Sequence, residues 1–549
     1  MVEWSTLTDL IDHAAERFPS CQLRFPADGE SVSLATLAAR SDRIASGLAA
    51  AGLETGEIVG LLYPTSGDFV VTFFGVVKAG GVPTVLPQPF SRSSAHVSRI
   101  EHILEDGRVR FLSTHDVFGD YVQERLSGVR ALTTRALEAA GGPRLRRRSR
   151  SKDLALVQYT SGSTSKPKGV ALTNANLRAG IESILDAIGV DEHDVNGQWI
   201  PLHHDMGLIG LLGGIAAGME QYLWSPAEFV RRPAEWLRSF AACRASVFAG
   251  PSFAYAYLLA AVDAEAAAEI DLSAWRVAFN GAEQVNPAVV DLFLERFRVS
   301  GLRREVMLPV YGLAEATLAV TIPKPGSIPR IDWVDRVALA NERHAVAVPH
   351  DHAHARGVAC LGQPVRNMEL RIVDEAVRPL PDRLVGEIQI RGRAVMDSYL
   401  RRARDADTFT SDGWLRTGDL GYRDEGLLFV TGRRREMVIV RGENYYPGDV
   451  EAVVQPLSGI YFGRCVAFAY EAENGERLAL LAETALEAHP ERAELLERIR
   501  ASLTRELGLP AVEVRLLQVN SIRRTTNGKT QRLTMRELFI RGELQGEWS

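Results

Sequence analysis

The chain has 549 residues, which favours roughly three or four folding units over a single core. Its 46% hydrophobic and 24% charged residues are typical of a soluble globular protein, and its net charge of -6 argues against a nucleic-acid binder. The one basic run, residues 144–152, is better explained as a solvated connection than as a nucleic-acid patch. We expect no secretory signal and no membrane span, and the scattered cysteines, without a CxxC pair, favour a reducing cytoplasm and no structural zinc.

The N-terminal part of the chain alternates helix-like and strand-like stretches. Apolar residues recur at helical or strand spacing, with the second helix stopping at Gly52. The helix-like stretches are residues 7–18, 34–51 and 69–78, and the strand-like stretches are residues 58–63 and 82–86. This alternation predicts an α/β architecture with a mainly parallel sheet covered on both faces.

The centre of the chain carries a short apolar run, residues 154–159, that breaks abruptly into glycine, hydroxyls and lysines. The run predicts a buried strand. Thr173 then precedes residues 174–188, where apolar side chains recur at helical spacing, so we expect strand, loop and helix in that order.

The loop between this strand and helix has the chemistry of a polyphosphate cradle. Gly162 lets the backbone approach an anion, the hydroxyls of Ser161, Ser163 and Thr164 can donate to phosphate oxygens, and Lys166 and Lys168 add positive charge. No register of the GxxxxGK[ST] loop exists here. On composition alone, a solvated Ser/Gly/Lys linker stays open as the alternative.

Two histidine clusters raise the question of a metal site. His203 and His204 stand beside Asp205, but adjacent residues on one element point in different directions, so we favour a substrate-lining role. His350, His352 and His354 are better explained as a solvated loop than as metal ligands.

The ordered wording of residues 159–169, YTSGSTSKPKG, resembles the signature of adenylate-forming enzymes. This superfamily comprises acyl-CoA synthetases, peptide-synthetase adenylation domains and fatty acyl-AMP ligases. One position departs from the signature, because Ser165 stands where glycine is usual. Further stretches follow in the superfamily's order up to RTTNGKTQR at residues 524–532, so the resemblance covers nearly the whole chain.

The resemblance implies a set of nucleotide-binding and catalytic residues. FNGAEQV at 279–285 would hold adenine on a turn after a strand, VYGLAEAT at 310–317 would supply an aromatic face for the base and a magnesium ligand, and GWLRTGDLGY at 413–422 would supply a ribose ligand. The implied nucleotide-binding residues are Thr160, Ser161, Gly162, Ser163, Thr164, Lys168, Gly281, Ala282, Glu283, Tyr311, Gly312, Thr317, Asp419 and Arg433. The implied catalytic residues are Lys529, His204 and Glu315, with Glu315 and Thr160 as magnesium ligands and Arg435 at the hinge, where lysine or aspartate is usual.

The same resemblance implies the architecture. It predicts an N-terminal adenylation domain over residues 1–433, made of two α/β subdomains and a β-rich subdomain at about 360–430, and a small mobile α+β domain over residues 434–549. HDMGLIG, the interval 326–360 and RGENYYPGDVE look particularly like fatty acyl-AMP ligases, in which an insertion lies at this interval. From the residues themselves, we predict a hairpin about Asn474 and Gly475 in the C-terminal part.

The implied reaction is ATP- and magnesium-dependent conversion of a carboxylic acid, expected to be lipophilic, to acyl-AMP and pyrophosphate. Transfer to the phosphopantetheine thiol of an acyl carrier protein would follow, and we expect that carrier in trans because no attachment domain is visible after Arg532. The alternatives are an acyl-CoA synthetase using free CoA, an enzyme that hands acyl-AMP to a partner, and a non-catalytic nucleotide-binding regulator. Retention of Lys529, Glu315 and Asp419 together argues against the regulator.

Overall fold

The computed structural model describes residues 1–89, 94–126, 128–142, 144–145, 147–160, 167–440, 443–472, 475–509, 512–524 and 530–548. Phosphate-loop residues Ser161, Gly162, Ser163 and Thr164, together with Lys529, therefore lie outside the described residues. Among the described residues, no helix is long and apolar enough to cross a membrane.

Residues 1–140 alternate helices and strands, as their apolar spacing predicts. The helices are α1 (Leu7–Arg17), α2 (Leu34–Ala50), α3 (Gly67–Lys78), α4 (Ser94–Gly107), α5 (Gly119–Arg125) and α6 (Thr134–Ala139). The strands are β1 (Gln22–Phe25), β2 (Glu30–Ser33), β3 (Ile58–Leu62), β4 (Val82–Val85), β5 (Phe111–Thr114) and β6 (Arg130–Thr133). Strands β3 to β6 form a parallel sheet in the order β4-β3-β5-β6, which confirms the α/β interpretation.

A second, mixed sheet dominates residues 150–325. The strands of this region are β7 (Leu154–Thr160), β8 (Lys168–Thr173), β9 (Val195–Gln198), β10 (Glu220–Leu223), β11 (Val247–Gly250), β12 (Val277–Asn280), β13 (Met307–Pro309), β14 (Tyr311–Gly312) and β15 (Ala319–Ile322). The helices are α7 (Asn174–Ile188), α8 (Asp205–Ala217), α9 (Pro226–Arg231), α10 (Pro233–Ala242), α11 (Ser252–Ala261), α12 (Ala264–Ala268) and α13 (Pro287–Arg296). The sheet runs β13-β12-β11-β9-β10-β1-β2, and its pairs are parallel except β1 with β2.

The central strand and helix are confirmed, but the connection between them differs from the prediction. β7 pairs antiparallel with β8, so the order is strand, loop, strand and helix. β8 was missed because its six residues, KGVALT, open with a lysine and a glycine that resemble loop sequence. The helix α7 begins where expected, since the Thr173 hydroxyl accepts from the Asn176 amide and the Asn176 side chain reciprocates.

A β-rich part follows, and the interval 326–360 packs onto it. Its strands are β16 (Ile331–Asp335), β17 (Ala355–Ala359), β18 (Gln363–Pro364), β19 (Met368–Val373), β20 (Gly386–Gly392), β21 (Leu415–Asp424) and β22 (Leu427–Arg433). β19 to β22 form an antiparallel sheet, and β16 pairs antiparallel with β17. Val334, Leu339 and Val358 of the interval share one apolar cluster with Tyr422 and Phe429, so the interval is a packed element rather than an open loop.

The C-terminal region, residues 434–549, builds its own apolar cores from residues 438–548. Its strands are β23 (Val438–Val440), β24 (Glu443–Tyr445), β25 (Cys465–Ala472), β26 (Gly475–Glu483) and β27 (Glu513–Leu517), and its helices are α14 (Pro447–Val454), α15 (His489–Leu507) and α16 (Arg532–Arg541). β25 and β26 pair antiparallel, which confirms the predicted hairpin, although Asn474 lies outside the described residues. The domain boundary at residues 433 and 434 stays a prediction.

Candidate active site

A cavity of about 3070 Å³ lies between the C-terminal region and the rest of the chain. Most of the described residues implied for nucleotide binding, catalysis or the hinge line it: Thr160, Lys168, His204, Ala282, Glu283, Tyr311, Gly312, Glu315, Asp419, Arg433 and Arg435. These residues come from seven separate stretches of sequence, so the fold brings a dispersed set of side chains to one place.

One corner of the cavity is an ordered chain of three side chains. Tyr311, buried at the start of β14, donates a hydrogen bond from its hydroxyl to Asp419 Oδ2 at 2.7 Å. The other oxygen of Asp419 lies 3.2 Å from Arg433 Nε. The nearby carboxylate of Asp419 raises the pKa of Arg433, so this guanidinium stays charged. The Asp419 carboxylate is therefore held in position at the cavity wall, where hydroxyl groups of a ligand can donate to it.

The turn after β12 offers backbone to the cavity. Ala282 has a φ of +67°, a left-handed conformation that is uncommon for alanine. A side chain at Gly281 would approach Val310 Cγ2 to 2.8 Å and the Val310 carbonyl oxygen to 3.0 Å, so only glycine fits there without displacement. Glu283 accepts a hydrogen bond of 2.7 Å from the Phe253 amide in the first turn of α11, where the helix dipole favours a carboxylate. Gly281 lies behind the cavity wall, and its role is to let β12 and Val310 pack closely.

Glu315 and Tyr399 lie next to each other on another part of the cavity wall. The Tyr399 hydroxyl donates to Glu315 Oε1 at 2.8 Å, and the Lys168 ammonium lies 5.0 Å from the centre of the Tyr399 ring. Burial, together with the nearby Asp205 carboxylate, raises the pKa of Glu315 despite the hydrogen bond from Tyr399. Two carboxylates facing one cavity are a donor set that suits a magnesium ion.

His204 lies at the start of α8 and lines the cavity, whereas His203 is buried behind it. Their ring centres are 4.5 Å apart, and the His203 carbonyl accepts a 2.6 Å hydrogen bond from Gln158 on β7. β7 thereby fixes the position of the two histidines. His350, His352 and His354 are exposed and far in sequence from this wall. In the described part of the chain, no group of three His, Cys, Asp or Glu side chains is arranged to hold a metal.

Thr317 does not reach the cavity. Its side chain is fully buried, with a φ of +66°, and its hydroxyl lies 2.9 Å from the Ala394 carbonyl oxygen and 3.2 Å from that of Asn176. The Thr317 side chain is therefore turned away from the cavity, and the nucleotide-binding role of Thr317 stays a prediction. The hydroxyl contacts α7 and so links the loop after β14 to this helix. The amino-acid sequence of the motif does not indicate this contact.

The C-terminal region closes the other side of the cavity. Thr530 and Gln531, directly after Lys529, line it together with Arg524. The buried Arg532 guanidinium pairs with Glu436 at 3.1 Å and with Glu451, which ties α16 to the turn that contains Arg435. The position of Lys529 itself lies outside the described residues.

Tyr399 and Asp205 were missed as site residues from the sequence. Tyr399 lies in the stretch MDSYLRR, which has no recognisable motif, and only the fold brings it to Glu315. Asp205 was weighed only as a metal partner of the adjacent histidines. Its position in the first turn of a glycine-rich helix, directly after His204, was the available signal.

Comparison with known proteins identifies the chain's relatives. The family model described as AMP-binding enzyme matches residues 11–400. Medium-chain-fatty-acid–[acyl-carrier-protein] ligase JamA of Moorena producens is 33% identical over 100% of this chain and 97% of its own. Long-chain-fatty-acid–AMP ligase FadD26 of Mycobacterium marinum is 31% identical over 93% and 91%. A solved structure from a study of fatty acyl-adenylate ligases of E. coli and L. pneumophila superposes with a TM-score of 0.91, at 30% identity over 98% of each chain.

Proposed function

The chain belongs to the AMP-binding enzyme family, and on that premise we propose that it is a ligase that converts a fatty acid to acyl-AMP and passes the acyl group to a carrier protein. The observation that carries the proposal is the shared cavity. The Tyr311, Asp419 and Arg433 corner and the Glu315 carboxylate face one space that the C-terminal region closes. This arrangement suits a nucleotide whose base and ribose lie at one end and whose phosphates lie at the other.

The proposed reaction joins two anions, so it needs positioning and compensating charge more than covalent help. An oxygen of the acid attacks the α-phosphorus of ATP, and the bond from that phosphorus to the bridging oxygen breaks. The electrons of that bond leave on pyrophosphate. In this scheme Asp419 accepts from the ribose hydroxyls, Tyr311 presents its ring to the base, and Lys168 and the loop around Gly162 hold the leaving phosphates.

We assign Lys529 to the reacting end of the cavity. Its neighbours Thr530 and Gln531 line the wall of the C-terminal region, which supports this assignment. A lysine there compensates the charge that builds on the acid and α-phosphate oxygens in the transition state. His204 lines the same cavity from the N-terminus of α8 and borders the acid.

Magnesium fits the residues present. Glu315 is a half-buried carboxylate next to a second carboxylate, Asp205, and hard oxygen donors in that setting favour Mg²⁺. Glu315 and Thr160 would hold the ion, and when bound it would neutralise phosphate charge. Tyr399 orients the Glu315 carboxylate through its 2.8 Å hydrogen bond.

A lipophilic acid is consistent with the wall built by α11. Phe253, Ala256, Tyr257 and Ala260 of this helix line the cavity, and the alanines leave room beside the aromatic rings. Two relatives are named for medium-chain and long-chain fatty acids, which supports a fatty acid as the substrate class.

The proposal that a carrier protein accepts the acyl group rests on contacts between the interval 326–360 and the C-terminal region. Arg356 of β17 pairs with Asp449 of α14 at 2.8 Å, and both side chains are about 90% buried, at 6% and 10% exposure. Arg336 of the same interval donates to the Glu506 carbonyl of α15. These contacts oppose the rotation that would admit free CoA, and a carrier protein can offset their cost through its own surface. The cytoplasmic location expected from the cysteines stays a prediction.

The test supplies the purified protein with ATP, magnesium and a series of acids, together with either CoA or a holo carrier protein. Mass spectrometry follows acyl-AMP and thioester. We expect acyl-AMP with fatty acids and thioester mainly with the carrier. Rapid acyl-CoA formation would move the assignment to a CoA ligase, and acyl-AMP that accumulates with both acceptors would indicate transfer to a partner enzyme. Absence of acyl-AMP with every acid would refute the function.

A further inference from the structure

The helix α4 presents a basic face to the cavity. Ser98, Arg99 and His102 line the cavity, and residues three apart on a helix lie on the same face. His102 Nε2 is 3.1 Å from the carbonyl oxygen of Pro167, the residue that directly follows the loop 161–166. A carbonyl only accepts, so this nitrogen donates. The face that carries Arg99 therefore lies against Pro167, which directly precedes β8.

Arg99 has a guanidinium without a counter-ion among the described residues. Its Nε is buried and has no hydrogen-bond partner there, and burial lowers its pKa. Two other half-buried arginines of this protein are ion-paired: Arg40 with Glu138 and Asp68 at 2.7 Å, and Arg276 with Asp194 at 2.5 Å. A desolvated, unpaired cation is costly, so the site at Arg99 is complete only when an anion enters it.

The carboxylates of α4 do not fill this role. Asp106 accepts a 2.7 Å hydrogen bond from the Tyr159 hydroxyl, and Glu101 and Glu105 are exposed. Lys168 and Arg402 are further positively charged residues that line the cavity. The field at Arg99 thus favours an anion, and a guanidinium fork matches the paired oxygens of a phosphate better than a lysine does.

We propose that Arg99 is a phosphate-binding residue that contacts the β- and γ-phosphates of ATP and the pyrophosphate released from them. The assignment rests on the proposed function, because it takes adenylation as the reaction. As the bond between the α-phosphorus and the bridging oxygen breaks, the electrons move onto pyrophosphate, and Arg99 compensates that growing charge while His102 holds the Pro167 carbonyl.

The first experiment measures binding of inorganic pyrophosphate with Mg²⁺ by isothermal titration calorimetry, and it needs no knowledge of the acid. Arg99→Gln removes the charge, Arg99→Lys keeps it without the fork, and Arg125→Gln is the matched control on the exposed surface of α5. We expect Arg99→Gln to weaken pyrophosphate binding on the order of tenfold or more, Arg99→Lys to weaken it less, and the control to match the wild type. Equal affinity in all four proteins overturns the proposal.

Kinetics distinguish Arg99 from a structural residue. Arg99→Gln should raise KM for ATP and relieve inhibition of adenylation by added pyrophosphate, with thioester formation from purified acyl-AMP unchanged, because that step contains no pyrophosphate. Loss of an unpaired buried charge should leave Tm without ligand equal to or above that of the wild type. A lower Tm with unchanged pyrophosphate inhibition would assign Arg99 to the fold, whereas an altered KM for the acid or the thiol alone would assign it to those ligands. If wild-type protein binds pyrophosphate but forms no acyl-AMP, the proposed function fails and the Arg99 site stands.

Discussion

Replacing Arg356 with methionine should release the C-terminal region from the interval 326–360. The Arg356 guanidinium lies 2.8 Å from Asp449 Oδ1, donates a 2.8 Å bond to the Thr431 carbonyl and lies 4.5 Å from the centre of the Tyr446 ring. Burial raises the pKa of the Asp449 carboxyl, and Arg356 and Arg336 oppose that rise. Methionine keeps most of the side-chain volume but leaves the buried carboxylate without its closest positive charge.

The size of the effect follows from this burial. Removing one partner of a buried ion pair costs about 3 to 5 kcal/mol. Part of that loss comes from the hydrogen bond to the Thr431 carbonyl, which does not hold the C-terminal region. We therefore assign about 3 kcal/mol to docking of the C-terminal region, which is roughly a hundredfold in the docking equilibrium. If acyl-AMP forms only in the docked state, its rate of formation should fall by up to about that factor, and the ratio of acyl-CoA to acyl-AMP should rise.

Hydrogen exchange followed by mass spectrometry over β22 to α14 measures the release directly. Arg383→Met is the matched control, because its guanidinium pairs with Asp332 and Asp424, at 3.1 and 3.0 Å, outside the C-terminal region. Asp449→Asn added to Arg356→Met should restore part of the docking, since it removes the unpaired charge. Faster exchange confined to Arg356→Met supports the reasoning. The same exchange in both arginine variants, with unchanged CoA use, would refute it.

Three further outcomes are expected. Lys529→Ala should slow single-turnover acyl-AMP formation by about a hundredfold or more without changing the circular dichroism spectrum; a near wild-type rate would remove Lys529 from the mechanism. Glu315→Gln should raise the magnesium concentration needed for half-maximal activity, and an unchanged titration would make Glu315 structural. Burial alone would raise the pKa of the Asp194 carboxyl, but hydrogen bonds from Arg276 and Ser246 hold this pKa below its usual value. The stabilisation from these hydrogen bonds is therefore present above about pH 4 and is lost as the pH falls through the folded-state pKa. Arg276→Met should therefore lower the free energy of unfolding at neutral pH by about 3 kcal/mol and flatten its decline in acid, as urea titrations at several pH values would measure.

The local elements, and the set of residues proposed for much of the site, could be predicted from the sequence alone. The limits of α7 could be predicted because apolar spacing and the Thr173 cap are local properties of the chain. Tyr311, Asp419 and Arg433 could be selected because each lies in a sequence motif that follows the superfamily's order. The 2.7 Å hydrogen bond between Tyr311 and Asp419, 108 residues apart, was not predicted from the sequence.

Which side chains from unrelated stretches meet depends on the packing of the whole chain. β8 became a strand because β7 pairs with it, although its sequence resembles a loop. Tyr399 reached Glu315, Arg99 reached the cavity wall, and Thr317 turned away from the cavity towards α7. None of these positions has a signal in its own neighbourhood, because packing depends on which surfaces the whole chain buries together, whereas periodicity and caps depend on a few adjacent residues.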